Sequence, residues 1–399
     1  MRSIMTDIRE PQGRGSRDSQ AGQKVFASLM KGILANRFEP GCRVPTRREL
    51  MSQFGTSSIT VQRAFDRLIE AGFIEGCGRR GTFVVERPPH LYRVGLVFRS
   101  APGLPEWRHF WSVVVKAAER IEAEGVWRFE SYYSVRADHQ EGDWQRLAHD
   151  VRTRRLAGIV FGVSPKSRFA ALERLPIAKI AISEVCVPGS TTIRIDQSDF
   201  LRKAVAWLAG RGCRRVGLIT VPGHADRYRR VLESLAKSSG LHVERRWMQL
   251  GLQDLPDWTR NLAEMMFQGE VGARPDGLIV SDDNLTASVC AGLQARKLLP
   301  GKDIHVASHA NFPLLSETTA QGVQRIGYDD VQLLRDGLDC IMRKNEHGAV
   351  PEEIVVSARA EESRPGLGLG VETSALKQLR HRCPAIPQNV NNGEDGRRA

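Results

Sequence analysis

The stretch Ser57-Ser58-Ile59-Thr60-Val61-Gln62-Arg63 lays hydroxyls, an amide and a guanidinium along a helical repeat whose opposite face is Val61, Ala64, Phe65, Leu68 and Ile69. Ser57, Ser58, Thr60, Gln62 and Arg63 are side chains of the kind that hydrogen-bond base edges and phosphate oxygens. Arg47 and Arg48 open the preceding helical segment, and Arg79 and Arg80 stand in the turn Gly76-Cys77-Gly78-Arg79-Arg80-Gly81. Glycines beside arginines let a backbone lie close in a minor groove. The shared chemistry is recognition of double-stranded DNA. The competing account is a helical surface that is merely polar, but the order of elements, the caps, the turn and the charge agree on the first.

A second set of residues points to a small molecule. Asp196 and Asp283 each follow an apolar run, at the carboxyl end of an expected strand, where open α/β sheets bind ligands. A carboxylate there accepts paired hydrogen bonds from vicinal hydroxyls, as a sugar would offer. Either Asp could equally be the N-cap of the helix that follows. Phe110 and Trp111 lie on an amphipathic helix and either stack on the apolar face of a sugar or serve the core. No His-Glu-x-x-His, Walker A (Gly-x-x-x-x-Gly-Lys-Ser/Thr) or Gly-x-Ser-x-Gly motif occurs, and the ten His are dispersed. An enzyme is not expected, and nothing calls for a cofactor or metal.

The elements that position the first set are short. Val25, Phe26, Leu29, Met30, Ile33 and Leu34 recur at helical spacing and stop at Pro40-Gly41. Thr46 and Glu49 form a capping-box pair, so a short helix runs through Phe54. Gly55 turns the chain, and a third helix ends at Gly72. Phe73-Ile74-Glu75, the Gly/Arg turn and Thr82-Phe83-Val84-Val85 then form a hairpin, which makes a winged helix-turn-helix of residues 21–87. Residues 1–20 and 363–399 lack hydrophobic periodicity and are expected as flexible tails, and Pro88-Pro89 opens a stiff linker, 88–91.

Residues 92–362 read differently. Arg93–Phe98, Ala157–Val163, Ile177–Ser183, Arg215–Thr220, Gly277–Ser281 and Ile304–Ala307 are nearly all-apolar strands alternating with helices such as Glu106–Glu124, Phe200–Gly210 and Leu285–Leu298. That alternation marks parallel α/β sheets, and its length predicts two lobes with a cleft between them.

Composition agrees. The chain of 399 residues carries a net charge of +12, and residues 1–90 hold 15 Lys+Arg against 9 Asp+Glu, half the surplus in under a quarter of the length. A basic terminal module suits an anionic partner. No apolar run is long enough to span a membrane and no signal sequence is present, so the expected place is the cytoplasm. The seven Cys are scattered without a Cys-x-x-Cys pair and are read as reduced thiols, mostly core filler. The run Gly366–Gly370 follows no βα unit and is not a phosphate loop.

Pro45-Thr46-Arg47-Arg48-Glu49-Leu50, Phe54-Gly55-Thr56-Ser57-Ser58-Ile59-Thr60-Val61, Leu68–Ile74 and Gly81-Thr82-Phe83-Val84 closely resemble the winged-helix domain of GntR-type transcription regulators. The resemblance implies operator contacts by Arg48, by Ser57 and Thr60, and by the wing. The family commonly has Arg where this chain has Ser58 and Gln62, and Gly where it has Arg79, which shifts binding energy toward the wing. From about Tyr92 to Glu362 the chain resembles the effector domain of LacI/GalR repressors, with its periplasmic-binding-protein fold. The carriers are Ile193–Asp196 with Gly212–Ile219, and Pro275–Asp283. That resemblance implies pocket roles for Asp283, Arg202 and Arg227. The pattern breaks at Val306–Asn311, where a Gly and an Asp pair are usual, so that Asn311 puts an amide in place of a carboxylate. The function implied is a DNA-binding regulator, a homodimer whose operator affinity responds to a small molecule, expected to be a carbohydrate. The alternative is a cytoplasmic solute-binding receptor without sequence-specific DNA binding.

Overall fold

The computed structural model describes residues 17–104, 106–135, 142–163, 172, 174–312 and 321–361. Helix α1 (Arg17–Leu34), α2 (Arg47–Phe54) and α3 (Ser58–Glu70) pack around Val25, Leu29, Leu50, Val61, Phe65 and Leu68. The capping box forms as expected: Glu49 N donates to Thr46 Oγ1 at 3.3 Å, and Thr46 N donates to Glu49 Oε2 at 2.7 Å. Gly55 takes the left-handed conformation, φ 57°, that lets α2 stop and the chain turn into α3. Strands β1 (Ile74–Gly76) and β2 (Thr82–Val84) pair antiparallel as the wing, and Arg43 bridges to Phe83 along its edge. Truncating fully buried Phe65 to Ala removes a ring from this small core and would cost about 3–5 kcal/mol.

Two expectations need correction. Arg17–Gln20, placed in a flexible tail, begin α1. Pro88 and Pro89 do not form a free spacer: they are buried, and α4 (Pro89–Tyr92) sets His90 in a stack on Phe73 with ring centres 5.6 Å apart. Burial pushes the His90 imidazole down to about 4, so this packing holds a neutral ring at neutral pH. Residues 1–16 and the expected tail 363–399 lie outside the described residues.

Two six-stranded sheets follow. The first comprises β3 (Arg93–Val97), β4 (Arg128–Tyr132), β5 (Gly158–Val163), β6 (Ala178–Ser183), β7 (Thr191–Ile195) and β13 (Glu353–Val356), in the order β13-β7-β6-β5-β3-β4, all parallel. The second comprises β8 (Val216–Thr220), β9 (Met248–Leu250), β10 (Gly277–Val280), β11 (His305–Phe312), β12 (Val323–Asp329) and β14 (Arg359–Ala360). Its order is β14-β12-β11-β10-β8-β9, and only β14 runs antiparallel to its neighbour. Every residue of β8 and β10 is buried, which is why these strands read as unbroken apolar runs rather than alternating ones.

Helices cover both sheets. On the first lie α5 (His109–Ala123) and α6 (Trp144–Arg152), while α7 (Gln197–Gly210), α8 (Ala225–Ser238), α9 (Pro256–Met266) and α10 (Asp283–Ala295) belong to the second lobe. The chain crosses between lobes after Ile195, after Asp329 and between Val356 and Arg359. After Asp329 it returns through α11 (Asp330–His347), whose Leu334, Leu338 and Ile341 pack in the first lobe's core with Val114 and Ala117 of α5. Strand β11 runs well past the expected Ala307, to Phe312. Among the described cysteines, all free, Cys213, Cys290 and Cys340 are buried, but Cys42 and Cys186 are exposed, so core filling accounts for half of them.

Candidate DNA-reading face and interlobe cleft

On the winged helix, the sequence pattern and the fold mostly agree on what faces outward. Ser58, Arg63, Arg47 and Arg48 are exposed and Gln62 is half-exposed, its Nε2 donating to Asp66 Oδ1 at 2.6 Å. In the wing, Gly78–Arg80 form one 3-10 turn with both arginines exposed, and the Arg80 guanidinium lies 5.7 Å from the Phe83 ring centre. Gly81 has φ 110°, and a Cβ there would sit 2.7 Å from Arg43 Nε. Only glycine fits, and it leaves room for the Arg43 guanidinium beside the wing. Arg43 went unsignalled because its strand-edge position is not periodic.

Thr60 is a correction. It is 3% exposed, its hydroxyl shares a 2.9 Å hydrogen bond with Ser57 Oγ, and its methyl faces Gly22 of α1. It therefore locks the start of α3 against α1 rather than reaching outward. Ser57 is the N-cap, accepting from Thr60 N at 3.3 Å. Ile59, between them, is 65% exposed at the tip of the helix, an apolar group suited to a thymine methyl. Binary patterning misses it because an isolated exposed isoleucine looks like any helix residue.

The second site is a cavity of about 1050 Å³ between the lobes, at the carboxyl ends of the strands. Asp283 and Asn311 line it, and Asn311 Nδ2 donates to Asp283 Oδ2 at 2.8 Å. A carboxylate at 311 would repel Asp283; the amide instead fixes it. The cap of α10 is Asp282, whose carboxylate accepts from Asn284 N at 3.0 Å, so Asp283 is free of capping and its side chain is 12% exposed. Phe110 and Trp111 line the facing wall, edge to face, with centres 4.8 Å apart.

The other expected pocket residues fall elsewhere. Asp196 caps α7, accepting from Ser198 N at 3.1 Å and Asp199 N at 3.2 Å, so its carboxylate is spent on the helix. Arg202 points to solvent and pairs with Asp199 one turn back. Arg227 does not line the cavity; its Nη1 donates to Glu184 Oε2 at 3.3 Å. Glu184, at the end of β6, does line it, and also meets His224 Nε2 at 3.2 Å and Gln197 Nε2 at 2.9 Å. This acid ties the first lobe to the second and was missed because nothing local marks it. Across the same gap, Arg108 pairs with Gln253 and lies 3.7 Å from Asp254. At the crossings, Tyr328 Oη donates to the Asp196 carbonyl at 2.8 Å, and burial raises the phenol far above its ordinary range, so it stays a donor. Among the described residues no group of His, Cys, Asp and Glu is arranged to hold a metal, and no helix is long and apolar enough to cross a membrane.

Comparison with known proteins places both parts. The profile of bacterial regulatory proteins of the gntR family matches residues 21–84, and that of the periplasmic binding protein-like domain matches residues 205–361. Over 76 residues the chain is 38% identical to the HTH-type transcriptional regulator Rv1152 of Mycobacterium tuberculosis, a match covering 18% of this chain and 63% of that one. The chain thus spans less than two thirds of that relative. A regulatory protein of LacI family from Chloroflexus aggregans superposes with a TM-score of 0.55 at 14% identity, over 67% of this chain and 96% of that one. A LacI family transcriptional regulator from Lactobacillus casei with bound glucose gives 0.50 at 15% identity, over 67% and 98%. At such identities the likeness shows the fold. The chain therefore joins a gntR-type winged helix to a periplasmic-binding-protein-like domain of the fold seen in LacI-family regulators.

Proposed function

We propose that this protein is a transcription regulator whose operator affinity is set by a carbohydrate bound between the lobes, and that it acts as a homodimer. The observation that carries the reading is the presence, on one chain, of an outward face of Ser58, Gln62, Arg63 and wing arginines and of a large cleft whose walls belong to different lobes. A ligand that favours one arrangement of the lobes shifts its population, and in a dimer this changes the spacing of two winged helices on a palindrome. Support for a carbohydrate comes from the Phe110 and Trp111 wall opposite acceptor groups on Asp283 and Asn311, and from the glucose found in the Lactobacillus casei neighbour. Support for a dimer comes from Leu255, Trp258 and Met265 on and beside α9, each more than half exposed. We place the protein in the cytoplasm and assign it no catalysis.

The test is retention of palindromic DNA from the neighbourhood of its own gene at two salt concentrations. The reading expects binding that weakens steeply with salt. Salt-insensitive or absent binding by a folded protein would instead favour a solute receptor.

A further inference from the structure

Inside the cleft the charge runs opposite to that of the chain. Against a net charge of +12, the described lining carries the five carboxylates of Glu106, Glu184, Asp254, Asp282 and Asp283. Its guanidiniums are two, Arg99 and Arg108. Some of these acids have cations at hand, Glu184 in Arg227 and Asp254 in Arg108. Asp283 does not. Its oxygens meet the amides of Asn311 and Asn284, and the one basic group within 4 Å among the described residues is His109, whose Nε2 stands 3.8 Å from Oδ2 without a hydrogen-bond partner. Next to it, Asp282 accepts, among the described residues, from neutral amides alone, Gln253 Nε2 and those of Asn284. Behind them sits Asp330, wholly buried, with neither carboxylate oxygen hydrogen-bonded among the described residues. Burial, with the neighbouring Asp329 and Asp283 carboxylates adding to it, holds the Asp330 carboxyl well above its ordinary range, so it keeps its proton and leaves the charge of the site to Asp283 and Asp282.

Asp283 and Asp282 thus stand side by side in the cleft wall, and among the described residues the one basic group at hand is the His109 imidazole beside Asp283. Buried charge of one sign is stable only with a partner. The opposite wall supplies Phe98, Phe110 and Trp111, whose rings meet edge to face and offer their π systems to a sugar ring or to a cation.

We infer that the effector is an amino sugar, its ammonium against Asp283 with Asp282 beside it and its ring on Phe110 and Trp111. The inference rests on the reading of the cleft as a carbohydrate sensor. The test is calorimetric titration of the full chain, near neutral pH and at low salt, with glucosamine, galactosamine and mannosamine, each beside its parent hexose and its N-acetyl derivative. One hexosamine should bind about ten-fold or more tightly than both uncharged counterparts, since charge-assisted hydrogen bonds are the stronger kind. Asp283→Asn should erase that preference, while Phe110→Ala should weaken amine and parent alike. A hexose or N-acetyl derivative that binds as tightly as the amine overturns the inference and leaves the carbohydrate reading intact. If no member of the panel binds, both fail.

Discussion

Removing the arginines that face outward from the winged helix should change how binding responds to salt in a countable way. Arg48, Arg79 and Arg80 are exposed, and among the described residues no carboxylate engages any of them, so each is available to a phosphate. Each phosphate neutralised contributes about −0.9 to the slope of log affinity against log salt. Between about 50 and 200 mM salt, one contact is therefore worth a further loss of about 3.5-fold, and three contacts about 40-fold. The variant carrying Arg48→Ala, Arg79→Ala and Arg80→Ala should bind more weakly at low salt and show a slope shallower by nearly three. Fluorescence anisotropy with a labelled operator over a salt series reads both quantities. A slope within about half a unit of the wild type would refute the assignment, because those side chains would then displace no counterions.

Other outcomes follow from the same geometry. Gln62→Ala should alter base preference more than overall affinity, because a side-chain amide reads adenine bidentately; selection from randomised sites with each protein checks this. Asp283→Ala should weaken binding of the cognate sugar by roughly 10–100-fold and leave ligand-free DNA affinity unchanged, since hydrogen bonds to a charged group contribute about 1.5–3 kcal/mol each. Asp330→Asn should stabilise the ligand-free protein. Burial holds the Asp330 carboxyl well above its ordinary range, so the folded state keeps a proton that the unfolded chain releases, and the wild type loses stability as pH rises above about 4. Thermal melts should place the variant above the wild type near pH 7.5 and converge near pH 4; a wild type that melts higher at neutral pH contradicts this.

Local physics explains why the winged helix was readable. Its caps, turn glycines and apolar spacing involve residues within a few positions of each other, and Thr46–Glu49, Gly55 and the Gly/Arg wing all behave as their sequence implies. Thr60 shows the limit: a hydroxyl beside the outward face turned inward because α1 approaches at Gly22, a contact no local window contains. The strands of the lobes were legible as buried apolar runs, whereas β4, β12 and β13, with polar or half-exposed positions, were not. In the cleft, the choice between cap and ligand group at Asp196 and Asp283 turned on a single residue. Asp282 was present to cap α10 and release Asp283, while no such neighbour precedes Asp196. Glu184 and Asp330 matter only because distant segments meet at the crossings, where spacing along the chain carries no signal.

The claim that joins the two halves is that occupancy of the cleft changes DNA affinity. It is tested most directly by measuring operator binding of the full chain by anisotropy, with and without a saturating sugar identified by the titrations, and repeating the pair with Asp283→Ala. Coupling of this kind is expected to shift affinity by about 5–150-fold in the wild type, with the shift lost or moved to much higher sugar concentration in the variant. Tight sugar binding that leaves operator affinity unchanged would contradict the account.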